Sequence, residues 1–164
     1  MREPATLDAE AAAELRRALE LDPGNGSAQQ ALGECLESAG KLDEAAEAYA
    51  KALNLAGDQG PSAARAMWSL GSLAHDRGDL ETAEKQLRRS VKADSELADG
   101  HYELGLVLRK QSKIEDAVVS LTRAAELDPM NPDRHYALGV TLRLSGDAAG
   151  AREALQRFRE LSGN

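Results

Sequence analysis

The chain has 164 residues, of which 42% are hydrophobic but only 3% aromatic, and its formal net charge is −8. That length admits one domain or one short repeat array, and the negative charge repels phosphate backbones, which excludes nucleic acid as a natural partner. Cys35 is the only cysteine, so no intrachain disulfide can form.

The first residues, "MREPATLDAE", hold no apolar core of a signal peptide, which favours a cytoplasmic location. No apolar run further on reaches the length of a membrane span, so no membrane insertion is expected. Residues 7–23 predict a helix through Ala11, Leu15 and Ala18, stopped at Asp22-Pro23. Next come paired amphipathic stretches. "SAQQALGECLESAG" leads into "KLDEAAEAYAKALNL", and "ARAMWSLGSLAHDRG" leads into "DLETAEKQLRRSVKA". Two more pairs follow, beginning near residues 98 and 132. Gly40, Gly78 and Gly146 fall where the first helix of a pair must stop, and Ser112 takes that place in the third pair.

These pairs are copies of one unit. Leu70-Gly71, Leu104-Gly105 and Leu138-Gly139 are spaced by 34, as are Ala83, Ala117 and Ala151, and Leu87, Leu121 and Leu155. Leu32-Gly33, Ala45 and Tyr49 form an earlier copy, displaced by four extra residues that fall in "NLAGDQGP" at 54–61. The recurring Leu-Gly in the first helix and Ala, large residue and Ala in the second resemble the tetratricopeptide repeat. That resemblance implies an all-α, right-handed α-solenoid of helix-turn-helix units. The repeats would begin at Gly26, Ala64, Ala98 and Pro132, after a half repeat at 7–25, and the last would run from 132 to 164. Nine helices are expected, the second helices starting near 7, 42, 80, 114 and 148, the first near 27, 62, 98 and 132.

The pairs His101-Tyr102 and His135-Tyr136 invite a catalytic or metal-binding reading. They are also spaced by 34, and Met67 and Gln29 hold the histidine position in the other copies. No cysteine or further histidine completes a ligand set, and no nucleophile recurs with them. Both histidines are therefore expected to pack between helices as one structural slot. The chain shows no glycine-rich phosphate loop, nucleophile elbow or metal cluster, so no catalytic residue, metal or cofactor is assigned.

In the resembled family the first helices line the concave surface. One face of these helices then carries Trp68, Tyr102 and Tyr136 in a row. Leu106 and Val140 lie in a second row, and His75, Arg109 and Arg143 in a third. The outer rows are seven residues apart, or about 10 Å along a helix. Aromatic and cationic rows together suit a protein or peptide segment with apolar and acidic groups. Residues 1–63 carry a net charge of −7, from 5 basic and 12 acidic side chains, and residues 64–164 carry −1, from 15 and 16. Cationic surface is thus expected only in the later repeats. The carboxylate clamp of chaperone-binding family members is not matched, because its positions hold Gln30, Glu34, Ser69, Asp99 and Glu103.

Three functional classes follow. The first is a non-catalytic scaffold binding a partner segment in the concave groove. The second is an array that self-associates through its ends. The third is an accessory domain of a larger enzyme. Two end features bear on the second. The opening half repeat lacks its first helix, and Phe158 stands where Ala52, Ser90 and Ala124 stand in earlier copies. A phenylalanine there either caps the array or docks on another surface.

Overall fold

The computed structural model describes residues 4–163. Among them nine α-helices follow one another without a strand: α1 (Pro4–Leu21), α2 (Gly26–Ser38), α3 (Leu42–Ala56), α4 (Pro61–Asp76), α5 (Leu80–Ala93), α6 (Ala98–Lys110), α7 (Ile114–Leu127), α8 (Pro132–Ser145) and α9 (Ala148–Ser162). The expected starts of α2 to α9 agree with these to within one residue. Helix α1 begins three residues earlier than the spacing suggested. A proline at its first position is compatible with that start, since the first turn needs no donor from it.

Local chemistry sets the boundaries. Asn25, Asp79, Asn131 and Asp147 each stand just before a helix, and their side chains accept from a backbone N–H in its first turn. Helices α3 and α7 have no side-chain cap, but Asp43, Glu44, Glu115 and Asp116 place negative charge beside their N-termini. The turn inside each hairpin needs a left-handed residue. Gly40, Gly78 and Gly146 supply it with φ of 73°, 79° and 89°. Ser112 adopts the same conformation with φ 62°, and it is the one non-glycine residue described that does so. A Cβ in that region costs about 1–2 kcal/mol.

The two helices of each hairpin touch along a seam of glycine against leucine. A Cβ on Gly71 would lie 2.7 Å from Leu87 Cγ, and one on Gly105 would lie 2.5 Å from Leu121 Cγ. Gly139 meets Leu155 in the same way, and in the first full repeat Gly33 meets the ring of Tyr49. Tyr49 is buried, and its hydroxyl donates to Glu37 at 2.6 Å. Each second helix then packs against the first helix of the next repeat, so the chain stacks as a solenoid. The core is rich in alanine: Ala45, Ala63, Ala64, Ala83, Ala117 and Ala124 are all fully buried. Small residues bring the helix axes close, and Leu87, Leu108 and Leu121 fill what space remains. The four extra residues form the loop between α3 and α4. It is held against α5 by Gly60 N–H donating to Ala93 O at 3.1 Å and by Arg89 pairing with Asp58 at 2.9 Å.

Two stability tests follow. Ser112→Gly removes the strained Cβ and is expected to stabilise by about 1 kcal/mol, read from the denaturation midpoint. Gly105→Ala is expected to destabilise by about 1–3 kcal/mol through overpacking, and Leu121→Ala by about 2–5 kcal/mol through a cavity. Because the two side chains contest one space, the double variant should lose less than the sum of the singles.

Candidate functional site

The first helices α2, α4, α6 and α8 carry the residues assigned to the concave rows, but the structure gives those residues unequal freedom. Trp68 is half-buried, packs on the core beneath α4, and has an indole N–H with no partner. Tyr102 is half-buried under the Arg134 guanidinium, which lies 4.2 Å from its ring centroid. Burial, with Asp133 adding to it, holds the Tyr102 phenol above its ordinary value. Tyr136 is 51% exposed, and its ring leans on Phe158 at 5.2 Å between centroids. Phe158 thus turns onto its own hairpin.

The cationic row divides in the same way. His75 Nδ1 lies 2.6 Å from Glu103 Oε1, and both side chains are largely buried, so His75 is committed to an internal contact. Arg109 is half-buried and reaches only a long 3.5 Å contact to Thr141 Oγ1. Arg143 is exposed and makes no ion pair among the described residues. Leu106 and Val140 are both half-buried between these arginines and the tyrosines. Apart from Trp68, the residues of these rows that keep exposed surface and are not tied to a carboxylate lie on α6, with Tyr102, Leu106 and Arg109, and on α8, with Tyr136, Val140 and Arg143. Toward α2 the same face turns acidic. Trp68 there borders a recess of about 450 Å³ with Glu34, Glu37 and Tyr49.

Two residues of this region escaped the sequence reading. Glu103 holds His75 by a hydrogen bond, and Arg134 supports Tyr102. Arg134 is 7% exposed and pairs with Asp99 and, at 3.8 Å, with Asp128. It stands where Ala28, Ala66 and Gly100 stand in the earlier repeats, so a large cation in a small-residue position was the available signal. The four-residue insertion also borders a cleft of about 560 Å³ between α2 and α4, with Gln30, Leu55, Pro61 and Arg65 in its wall.

The paired histidines occupy one slot, though in a different way from simple core packing. Each is half-buried and donates from Nε2 to a carbonyl six residues earlier, His101 to Ser95 O at 3.1 Å and His135 to Pro129 O at 2.9 Å. They lock the loop that enters their helix. Among the described residues no three His, Cys, Asp or Glu side chains group as a metal site would require.

An all-α array of stacked helical hairpins with a graded concave face is the architecture of a helical-repeat protein. The chain belongs to the tetratricopeptide repeat family: residues 26–96 match one family model, described as tetratricopeptide repeat, and residues 105–146 match a second, described as TPR repeat. No curated protein matches the chain in sequence. Solved structures share the fold. Pseudomonas aeruginosa PilF superposes with a TM-score of 0.84 at 23% identity, covering 97% of this chain and 71% of its own. MamA gives 0.78 at 20% identity, covering 99% and 96%. YrrB, described as a TPR protein with an unusual peptide-binding site, gives 0.72 at 21% identity, covering 97% and 80%.

The histidine lock carries a pH signature. Burial is the main cause that holds His101 below its ordinary value of 6.5, the bond to Ser95 opposing it. As pH falls through about 6.5, the unfolded chain takes up a proton before the folded chain does, so stability present above that pH is lost below it. Replacing His101→Met, the residue at this slot in α4, should flatten the fall of the melting temperature between about pH 7 and pH 5. An unchanged slope would remove His101 from the account.

Proposed function

We propose that this chain is a non-catalytic interaction scaffold that binds a partner segment across the α6–α8 part of its concave face. The observation that carries the reading is a cation left unpaired beside apolar surface. Among the described residues eight arginines, from Arg16 to Arg157, are tied in ion pairs. Arg143 makes none among them, as Arg65, Arg152 and Arg159 also do not, but Arg143 shares α8 with Tyr136 and Val140. Arg109 on α6 has only a long polar contact. Beside them Tyr136, one face of which packs on Phe158, and the half-buried Leu106 and Val140 still offer exposed apolar area. A segment with apolar side chains and carboxylates satisfies both surfaces, the guanidinium groups pairing carboxylates in a bidentate manner. The peptide-binding site ascribed to YrrB, a protein of the same fold, supports the assignment to this class of surface.

A pull-down followed by mass spectrometry identifies the partner, and titration of its segment then tests the surface. An affinity near micromolar, about −8 kcal/mol, is expected for such a contact. The Arg109→Glu and Arg143→Glu double variant should weaken it at least about tenfold, or about 1.4 kcal/mol, while circular dichroism shows unchanged helicity. Raised salt should weaken the wild-type complex, because exposed charges are screened. Unchanged affinity in the double variant would move the binding surface away from these arginines.

A further inference from the structure

The outer side of the last repeat holds a second opening. Consecutive second helices lie side by side there, with the intervening first helix as the floor between them. At the junction of α5 and α7, three polar bridges close the gap. Arg88 pairs with Asp116 at 3.0 Å, Lys113 pairs with Glu84 at 2.6 Å, and Gln111 Nε2 donates to Leu80 O at 3.1 Å. Earlier junctions are bridged by Arg16 with Glu44 and by Arg77 with Asp43.

At the junction of α7 and α9 the chemistry for each bridge is missing. One period on, Arg88 and Asp116 become Thr122 and Gly150, Glu84 and Lys113 become Val118 and Asp147, and Gln111 becomes Ser145. The floor responds. Leu104 and Leu108 of α6 are 3% and 0% exposed, whereas the equivalent Leu138 and Leu142 of α8 are only half-buried. A groove of about 650 Å³ results, floored by Leu138, Leu142 and Ala154 and edged by Glu126, Glu153 and Glu160. That is the size of a pocket that receives one or two large side chains.

The edge decides the occupant. Glu126 pairs with Arg123 at 3.2 Å and Glu160 with Arg157 at 3.3 Å, but Glu153 has no ion pair among the described residues. With Glu126 and Glu160 each paired to an arginine, the unpaired Glu153 leaves the edge net negative above an apolar floor. We propose that this groove is a second binding site, for a basic amphipathic segment of a partner protein. Its leucine-like side chains enter between α7 and α9, and its lysines or arginines meet Glu153 and its neighbours. An acidic segment, which suits the concave arginines, is repelled here. The terminal hairpin thus offers opposite charge preferences on its two sides, and one molecule can hold two unlike segments together.

The test uses a fluorescein-labelled helical peptide with leucines at i and i+4 flanked by lysines, and a control with glutamates in place of the lysines. Fluorescence anisotropy on the whole chain should show the lysine peptide binding at least tenfold more tightly than the control. Glu153→Lys, on the exposed edge, should reverse that preference. Thr122→Arg returns to the groove the residue that Arg88 supplies one repeat earlier, and should cut binding at least tenfold with helicity unchanged. Arg143→Glu, on the concave side, should leave binding within twofold. Equal binding of both peptides, or indifference to Glu153→Lys and Thr122→Arg, overturns the proposal. So does light scattering that shows a dimer dissolved by Thr122→Arg, because the occupant is then a second copy of this chain.

Discussion

The contact between a glycine of each first helix and a large side chain of each second helix governs everything else in this molecule. Gly71 against Leu87, Gly105 against Leu121 and Gly139 against Leu155 leave no room for a Cβ. They set both the distance and the rotation between the paired helices. Once those are fixed, the residues on either side of the seam have determined directions. One side of each first helix must face its neighbour, and the other must face the open concavity. The first repeat solves the same constraint with Tyr49 in place of leucine, which brings a polar hydroxyl into the seam and ties it to Glu37. The exception shows that the constraint concerns volume at that position and tolerates a change of chemistry when a partner is supplied.

Because that constraint recurs with a spacing of 34, the helix order and nearly every helix start were legible in the sequence. The freedom of individual side chains was far less so. Trp68, Tyr102 and Tyr136 occupy equivalent positions, yet one packs inward, one lies under a guanidinium and one is half open. The differences come from neighbours in adjacent repeats. His75 with Glu103, Arg16 with Glu44 and Arg88 with Asp116 are each separated by 28 residues, six fewer than the repeat. A pattern of repeats shows which positions are equivalent. It does not show which long side chain reaches across to which, since that depends on the residue types at both ends of a cross-repeat offset. Arg134 is the clearest case: a cation in a small-residue position whose task, supporting Tyr102, depends on acids at Asp99 and Asp128.

Charge is also distributed along the solenoid in a way that composition only hints at. Glu34 and Glu37 make the concavity acidic near α2, and Arg109 and Arg143 make it cationic near α8. Many charged groups between these ends form pairs near the surface, where each pair adds about 0–1 kcal/mol. The unpaired groups therefore shape the field that an approaching molecule meets, even though they contribute little to holding the fold.

The missing bridges between α7 and α9 bear on how the array opens. A stacked repeat array loosens at its weakest interface and not all at once, because each unit is held only by its neighbours. Here the last hairpin is attached through the packing of α8 on α7, by the Arg134 contacts and by the long contacts of Arg109 to Thr141 and Arg157 to Met130, and among the described residues no ion pair joins α7 to α9. Tyr136, Val140 and Arg143 stand on α8, so transient detachment of the terminal hairpin would remove half of the proposed surface while the earlier repeats stay folded. A segment bound across α6 and α8, as proposed above, would act as the absent staple and couple its own binding to the closure of that end.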